Sequence, residues 1–404
     1  MRIFFFNRFV APDLSATSQL LADLAGHLAA QGMAVTLVGS RQRYDDAGAL
    51  LPERERIDGF DVLRVGGSRF GRGALAGRAL DYASYLRAAR RVLDAQVSRG
   101  DCVVLMTDPP LLGAHLGLRA RRRGARVVHW LQDLFPEVAE VLLGPAVRAG
   151  SGPLRWLRDR SLRQADRCVA ISGAMARRLI ARGVAPERVG VIENWTDENA
   201  VQPLAADANP LRGAWGLQGK FVVGYSGNLG RAHDWRTMLE VATGLRGRDD
   251  IRFLLIGGGR GQQALVAEAR TRGLDNVLLK PYQSREQLAH SLTLPDLHWL
   301  SLHPALEGCI FPSKWYGILA AGRPALFIGD PQGEIAQRLR AADCGAAVAP
   351  GDVPGARRCI ERLAADPAAA RDCGARARAC LPPRASAFAA WHGLLSGLAS
   401  IPSS

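Results

Sequence analysis

The 404 residues are 48% hydrophobic and 22% charged, the balance of a soluble globular protein with room for two or three domains. No apolar run reaches the ~18–20 residues of a membrane-spanning helix, and seven scattered cysteines argue against a disulfide framework and against a zinc site. The net charge of +14 suits phosphorylated ligands, an anionic membrane surface or nucleic acid. No nucleic-acid-binding module accompanies that charge, so nucleic acid is not expected as a partner.

In chain order, the first apolar stretch is interrupted within six residues, too short for a signal-peptide core, and reads as a buried strand of a cytoplasmic protein. Strands are expected over 2–6, 34–38, 61–65, 102–106, 126–130, 167–171 and 189–192, with helical patterns between most of them. The clearest helix covers 15–31, where Leu20, Leu21, Leu24, Ala25 and Leu28 make one apolar stripe and Gly32 ends it. Residues 196–219 are rich in Asp, Ala, Asn, Pro and Gly and read as a linker with one short helix. Strands then restart over 221–227, 252–257, 276–280, 296–301, 325–329 and 346–349, and 384–399 reads as a final helix. The alternation predicts an α/β protein of two Rossmann-like, doubly wound domains, 1–205 and 206–383, with a helix over 384–404 packing back toward the first. Ligands in such sheets sit beyond the carboxyl ends of the strands, so a central cleft between two facing sheets is expected to hold the site.

Positive charge is carried almost wholly by arginine. Of 52 basic residues only Lys220, Lys280 and Lys314 are lysines, and a lysine kept in such a chain marks a place for a compact point charge. Lys314 closes the segment Glu307-Gly308-Cys309-Ile310-Phe-Pro312-Ser313-Lys314. Pro312 suits the first helical position. The amides of Ser313 and Lys314, the Ser313 hydroxyl and the Lys314 ammonium would then form an anion site for a diphosphate. Glu307, one short loop earlier, would accept hydrogen bonds from sugar hydroxyls. Gly308, Cys309 and Ile310 are expected among the donor-binding residues of this segment, Cys309 as a small packing residue and not a nucleophile.

Two further turns place glycines where backbone amides could meet a ligand. One is Gly227-Asn228-Leu-Gly230-Arg231, followed by a helix expected from about 232; the other is Gly257-Gly258-Gly259. Lys280 ends a later strand and is a further candidate for the diphosphate, or an exposed strand-end lysine. In the first half, Asp133 follows a strand and could receive an acceptor hydroxyl or cap a helix; His129 reads as a core residue. Ser15 and Ser18 stand at the mouth of the first helix, where they could close over phosphates or act as caps. Trp156 and Leu157 among arginines suit a helix lying on anionic lipid.

These motifs, in this order, resemble the retaining glycosyltransferases of family 4, which have the GT-B fold. The resemblance rests on Pro12-Asp-Leu-Ser-Ala16, Asp133-Leu-Phe-Pro-Glu137, Ala165-Asp-Arg-Cys-Val-Ala-Ile-Ser172, Gly224-Tyr-Ser-Gly-Asn-Leu-Gly230, Leu255-Ile-Gly-Gly-Gly259 and Pro312-Ser-Lys-x-Tyr-x-x-Leu-Ala-Ala-Gly-Arg-Pro324. It covers nearly the whole chain and looks closest to enzymes of bacterial surface polysaccharides. It implies a nucleoside-diphosphate sugar, with UDP expected, as donor in the second domain. The acceptor, a saccharide or a lipid-linked one, would bind the first, with peripheral contact to an anionic membrane. It implies no metal and no cofactor beyond the donor substrate. Two glutamates are implied in the donor segment; the first matches Glu307, and the second falls at Gly317, where it is missing. A sugar-nucleotide epimerase or hydrolase of the same fold, or a donor-binding protein with weakened catalysis, fits the same residues.

Overall fold

The computed structural model describes residues 1–13, 15–43, 50–70, 75–284 and 286–400. Leu14 of the opening motif lies outside them. The chain divides into two compact units. The first comprises Met1–Asn194, Gly308–Phe311 and the chain's end from Ala385; the second comprises Trp195–Glu307 and Pro312–Arg384.

The first unit is built on β1 (Arg2–Phe6), α1 (Ala16–Ala30), β2 (Ala34–Ser40), β3 (Arg54–Ile57), β4 (Phe60–Val65), α2 (Leu75–Gln96), β5 (Cys102–Leu105), α3 (Leu112–Arg122), β6 (Arg126–Leu131), α4 (Glu137–Leu143), α5 (Pro145–Gly150), α6 (Gly152–Gln164), β7 (Arg167–Ala170), α7 (Gly173–Ala181) and β8 (Val189–Val191). Its eight strands run in the order β3-β4-β2-β1-β5-β6-β7-β8. All neighbours are parallel except β3 and β4. Strand β3 was not expected: Arg-Glu-Arg-Ile carries one apolar side chain, because an antiparallel edge strand need not be buried on both faces. The central strands β1 and β5 are buried almost throughout, as sheets covered on both sides require.

The second unit contains α8 (Pro210–Ala214), β9 (Phe221–Asn228), α9 (Arg236–Gly244), β10 (Ile251–Gly258), α10 (Arg260–Thr271), β11 (Val277–Lys280), α11 (Leu288–Thr293), β12 (Leu297–Ser301), α12 (Lys314–Ala320), β13 (Ala325–Ile328), α13 (Glu334–Ala342), β14 (Gly345–Val348), α14 (Val353–Ala365) and α15 (Pro367–Ala379). Six parallel strands run in the order β11-β10-β9-β12-β13-β14. The order reverses between β9 and β12, the switch point beside which such sheets bind ligands.

This unit begins at Trp195, ahead of the boundary expected near 205. Val201 is buried with Ala320 and Ala321, and Arg378 donates to the carbonyls of Val201 and Glu198, at 3.0 Å each. Those bonds tie the segment after Asn194 to α12 and α15. The final helix, α16 (Arg384–Ser400), places Trp391 against Trp130, with ring centroids 4.7 Å apart, and against Phe5 at 6.4 Å. Apart from Arg384, α16 counts with the first unit.

Candidate functional site

In the second unit, β9 and β10 end side by side, with Gly227 paired to Gly257 and Asn228 to Gly258. Gly227 and Gly257 hold φ of 117° and 125°, which only glycine adopts readily. A Cβ on Gly257 would lie 2.5 Å from the Gly227 carbonyl oxygen, and one on Gly227 would lie 2.7 Å from Cε of Lys314. Absent side chains thus make the space that Lys314 fills.

Lys314 opens α12. Its Nζ lies 3.4 Å from the Asn228 carbonyl oxygen and 5.1 Å from the centre of the Tyr225 ring. Among the described residues no carboxylate pairs with it. Burial pushes its pKa down to about 8, because taking an ammonium out of water disfavours the charge.

His233 completes this corner. Its Nδ1–H donates to the Ser301 carbonyl at 2.6 Å, and its ring meets Tyr225 edge-on at 6.1 Å. Burial, and next the nearby Lys314 charge, push its pKa down to about 4. At neutral pH it is an uncharged imidazole whose Nε2 is an acceptor. Sequence reasoning missed His233 and Tyr225; their place beside Lys314 depends on strand pairing, and only the lysine count pointed there.

Arg231 is exposed. With His233, Trp235, Arg236, His303 and Gly351 it lines a pocket of about 750 Å³ at the carboxyl ends of the strands, within the range of small-ligand sites. The helix expected from about 232 begins instead at Arg236. Asp234 Oδ1 accepts from the Arg236 amide at 2.9 Å and from the Thr237 amide at 3.3 Å, so the turn is capped there.

Glu307 is engaged locally. Its Oε1 accepts from the Glu334 amide at 2.9 Å, at the N-terminus of α13, and a Cβ on Gly333 would lie 2.7 Å from Oε2. A carboxylate there satisfies a free helix amide and complements the helix dipole. The helix expected from Pro312 begins two residues later, with Ser313 as N-cap in a helical conformation and without a side-chain capping bond. Pro312 precedes the helix, and its carbonyl accepts from the Trp315 amide at 3.0 Å.

Gly308, Cys309 and Ile310 count with the first unit. The Leu134 amide donates to the Cys309 carbonyl at 2.8 Å, and Ile310 bridges antiparallel to Asp133. Cys309 is buried. Lys280 stands over the Trp215 ring, 5.1 Å from its centre.

In the first unit, Asp133 has an enclosed Oδ1 without a hydrogen-bond partner. Burial raises its pKa to about 6, against a lowering hydrogen bond with Thr107. His129 is buried, its pKa pushed down to about 4, and its Nε2 lies 3.2 Å from the Ser161 hydroxyl. Both residues line a cavity of about 40 Å³ with Thr107 and Ser161, large enough for one or two waters. Ser15 precedes α1 and Ser18 lies in its first turn, and both hydroxyls are enclosed without a partner among the described residues. Neither caps the helix; the Ser15 amide instead donates to Asp13 Oδ1 at 2.8 Å.

The model for Glycosyltransferase Family 4 matches residues 17–200 and that for Glycosyl transferases group 1 matches 209–379. The chain is 33% identical over 237 residues to WcaI of Escherichia coli (strain K12), which is assigned as a colanic acid biosynthesis glycosyl transferase. That match covers 56% of this chain and 58% of the relative. Among solved structures, sucrose-phosphate synthase from Thermosynechococcus elongatus superposes with a TM-score of 0.75 at 17% identity, over 98% of this chain and 99% of that one. Anabaena HepE, in complex with UDP-glucose, gives 0.71 at 17% identity, over 98% and 100%. The chain belongs to glycosyltransferase family 4, with the GT-B fold.

Proposed function

We propose that the chain transfers a glycosyl group from a nucleoside-diphosphate sugar to a saccharide or lipid-linked acceptor, with retention at the anomeric carbon. The observation that carries this reading is Lys314: a desolvated ammonium with no carboxylate partner among the described residues, set where glycines clear the ends of β9 and β10. A diphosphate is the ligand whose charge it suits. Arg231 adds a second cation on the pocket side.

In the proposed step the bond from the anomeric carbon to the diphosphate oxygen breaks as the acceptor oxygen bonds to the same carbon on the same face. The acceptor proton passes to the departing diphosphate. Lys314 and Arg231 stabilise the negative charge that grows on the leaving group, without a metal ion. Glu307 orients the sugar while its other oxygen holds α13, and His233 Nε2 offers an acceptor to a sugar hydroxyl. Tyr282, whose ring lies close beside Gly257 and Gly258, is a platform for the base. HepE's complex with UDP-glucose supports uracil as that base. Asp133, in the first unit, would serve the acceptor. Transfer would take place at the cytoplasmic face of the membrane.

The test is product analysis with UDP-, GDP- and TDP-sugars, with and without acceptor, alongside thermal shifts. A donor at about a hundred times its Kd raises stability by ~2.7 kcal/mol. No shift with any of them sinks the reading. Consumption of donor at an undiminished rate without acceptor would instead make the chain an epimerase or hydrolase.

A further inference from the structure

Of the three lysines, Lys220 has no part in the donor corner. It precedes β9 in the second unit and lines a pocket of about 410 Å³ with Arg212, Asp296, Arg323 and Arg371, a volume within the range of small-ligand sites. Phe221 opens β9, Asp250 and Asp296 immediately precede β10 and β12, and Arg323 lies two residues before β13. The pocket therefore sits at the amino ends of the strands. Strand β9 runs eight residues to Asn228, which at about 3.3 Å per residue puts the pocket roughly 20 Å from the corner that holds Lys314. Phe221, Ala364 and Ala370 give it apolar walls.

Part of the charge here holds the fold. The buried Arg212 donates to the carbonyls of Leu294, at 2.7 Å, and Lys220, at 3.1 Å, and pairs with Asp296 at 2.6 Å. Asp296 in turn accepts from the Val222 amide at 2.8 Å, and Asp250 accepts from Arg248 through both oxygens, at 2.8 and 2.7 Å. Both carboxylates are thereby engaged, and three cations remain. Arg323 donates through Nε and Nη2 to the carbonyls of Thr293 and Leu204; among the described residues its Nη1 has no partner. Burial pushes the Arg323 pKa below the ordinary arginine range, further than neighbouring Asp296 restores it, and Arg212 repels it. Lys220 is half-buried and Arg371 exposed, and among the described residues neither side chain makes an ion pair; Lys220 acts on Asp250 only at a distance. Exposed Asp207 is the one lining carboxylate without a bond among the described residues.

We propose that this pocket is a second binding site, for a small phosphomonoester whose hydroxylated body is the size of a pentose or hexose. The phosphate meets Arg323 Nη1, Lys220 and Arg371, in charge-assisted bonds roughly twice as strong as neutral ones. A hydroxyl of the body donates to Asp207, and the rest lies against Phe221 and Ala370. Such an occupant is too far from Lys314 to be a reactant. Arg323 follows α12, the helix that Lys314 opens, so the occupant is an effector held at the far end of that helix. Binding here needs neither donor nor acceptor, so its failure and the failure of the transferase reading are separate results.

The experiment titrates ribose 5-phosphate, ribose and inorganic phosphate calorimetrically into the full chain at constant ionic strength. Ribose 5-phosphate is expected to bind once per chain, and ribose and phosphate at least roughly tenfold more weakly, since each lacks half of the recognition. Lys220→Ala with Arg371→Ala should weaken ribose 5-phosphate by roughly tenfold or more. Circular dichroism and melting of that double variant should not move, because neither side chain bonds to the described residues. Lys314→Met should bind ribose 5-phosphate like the wild type. Absence of binding overturns the proposal, as does a double variant that binds undiminished. Inorganic phosphate that binds as tightly as ribose 5-phosphate overturns it too, by showing an adventitious ion only. So does loss of binding in Lys314→Met, which would put the sugar phosphate in the donor corner.

Discussion

The Lys314 ammonium stands 5.1 Å from the centre of the Tyr225 ring. A ring face offers a cation modest attraction, far less than a carboxylate does. Among the described residues, then, a point charge stands partly out of water without a neutralising carboxylate. Such an arrangement costs folding free energy and is expected where a ligand brings the opposite charge. Lys314→Met should accordingly keep or raise the melting temperature while lowering kcat/KM by about 10²–10³-fold. Unchanged kinetics in that variant would remove the diphosphate from this corner.

The same charge predicts a pH limb. With Lys314 at about 8, kcat/KM should fall as pH rises through 8, because the free enzyme loses the ammonium that receives the donor. A bound diphosphate raises that pKa, so the limb in kcat should lie at higher pH. Lys314→Arg should move both limbs beyond the accessible range. Stability has the opposite sign. Between about 8 and the ordinary value of 10.5 the unfolded chain binds the proton more tightly, so this group makes the fold more stable as pH rises through that window. Urea titrations of wild type and Lys314→Met across that range check the sign; parallel curves would show that Lys314 is not desolvated.

Glu307 has two tasks that can be separated. Glu307→Gln keeps an oxygen for the Glu334 amide and loses the charge, so stability should fall by less than about 1 kcal/mol. Glu307→Ala abandons a helix amide and should cost about 1–2 kcal/mol. Both should lower kcat by at least about tenfold if the carboxylate orients the sugar. Denaturant melts beside turnover decide it: a Gln variant with normal kcat would leave Glu307 as a cap and nothing more.

Asp133 offers a test in the first unit. Its carboxyl titrates near 6, above the ordinary 3.8, so the folded state holds the proton more tightly than the unfolded chain does. The stability it contributes is present below about pH 4 and is lost as pH rises through 6. Asp133→Asn should be the more stable protein at pH 7 by on the order of 1 kcal/mol, and the two should converge toward pH 4. If Asp133 also meets the acceptor, the Asn variant should lose acceptor affinity while donor-induced thermal shifts persist. A variant equal to the wild type at every pH and in both affinities would assign it no role.

How much of this was legible in the sequence depends on how local each cause is. Parallel strands such as β1 and β5 lie between layers and read as unbroken apolar runs, so the two sheets were visible in advance. Strand β3 was not, since its pairing with β4 comes from a tight turn at Asp58 and Gly59, both at positive φ, and not from apolar pattern. Lys314 stood out by rarity alone. His233 and Tyr225 did not, because three segments separated by up to 89 positions meet only when β9 pairs with β12 and α12 folds over them. The capping of α13 by Glu307 spans 27 residues and leaves no trace in either segment read alone.

Gly317 allows the last prediction. It lies inside α12, and a Cβ there would stand 3.4 Å from Leu292 Cδ1, close to ordinary contact. The resemblance to the family calls for a ribose-holding glutamate at this position. Nothing in the local geometry forbids one. Replacing a mid-helix glycine with glutamate should add about 0.5–1 kcal/mol through helix propensity alone. A carboxylate that reaches the ribose hydroxyls should also tighten donor binding by roughly tenfold, the worth of one charge-assisted hydrogen bond. Isothermal titration with UDP-glucose and with its 2′-deoxyribose counterpart separates the two gains. Stabilisation without tighter binding would mean that the ribose is held elsewhere. Tighter binding that the deoxy donor does not share would place the ribose beside α12.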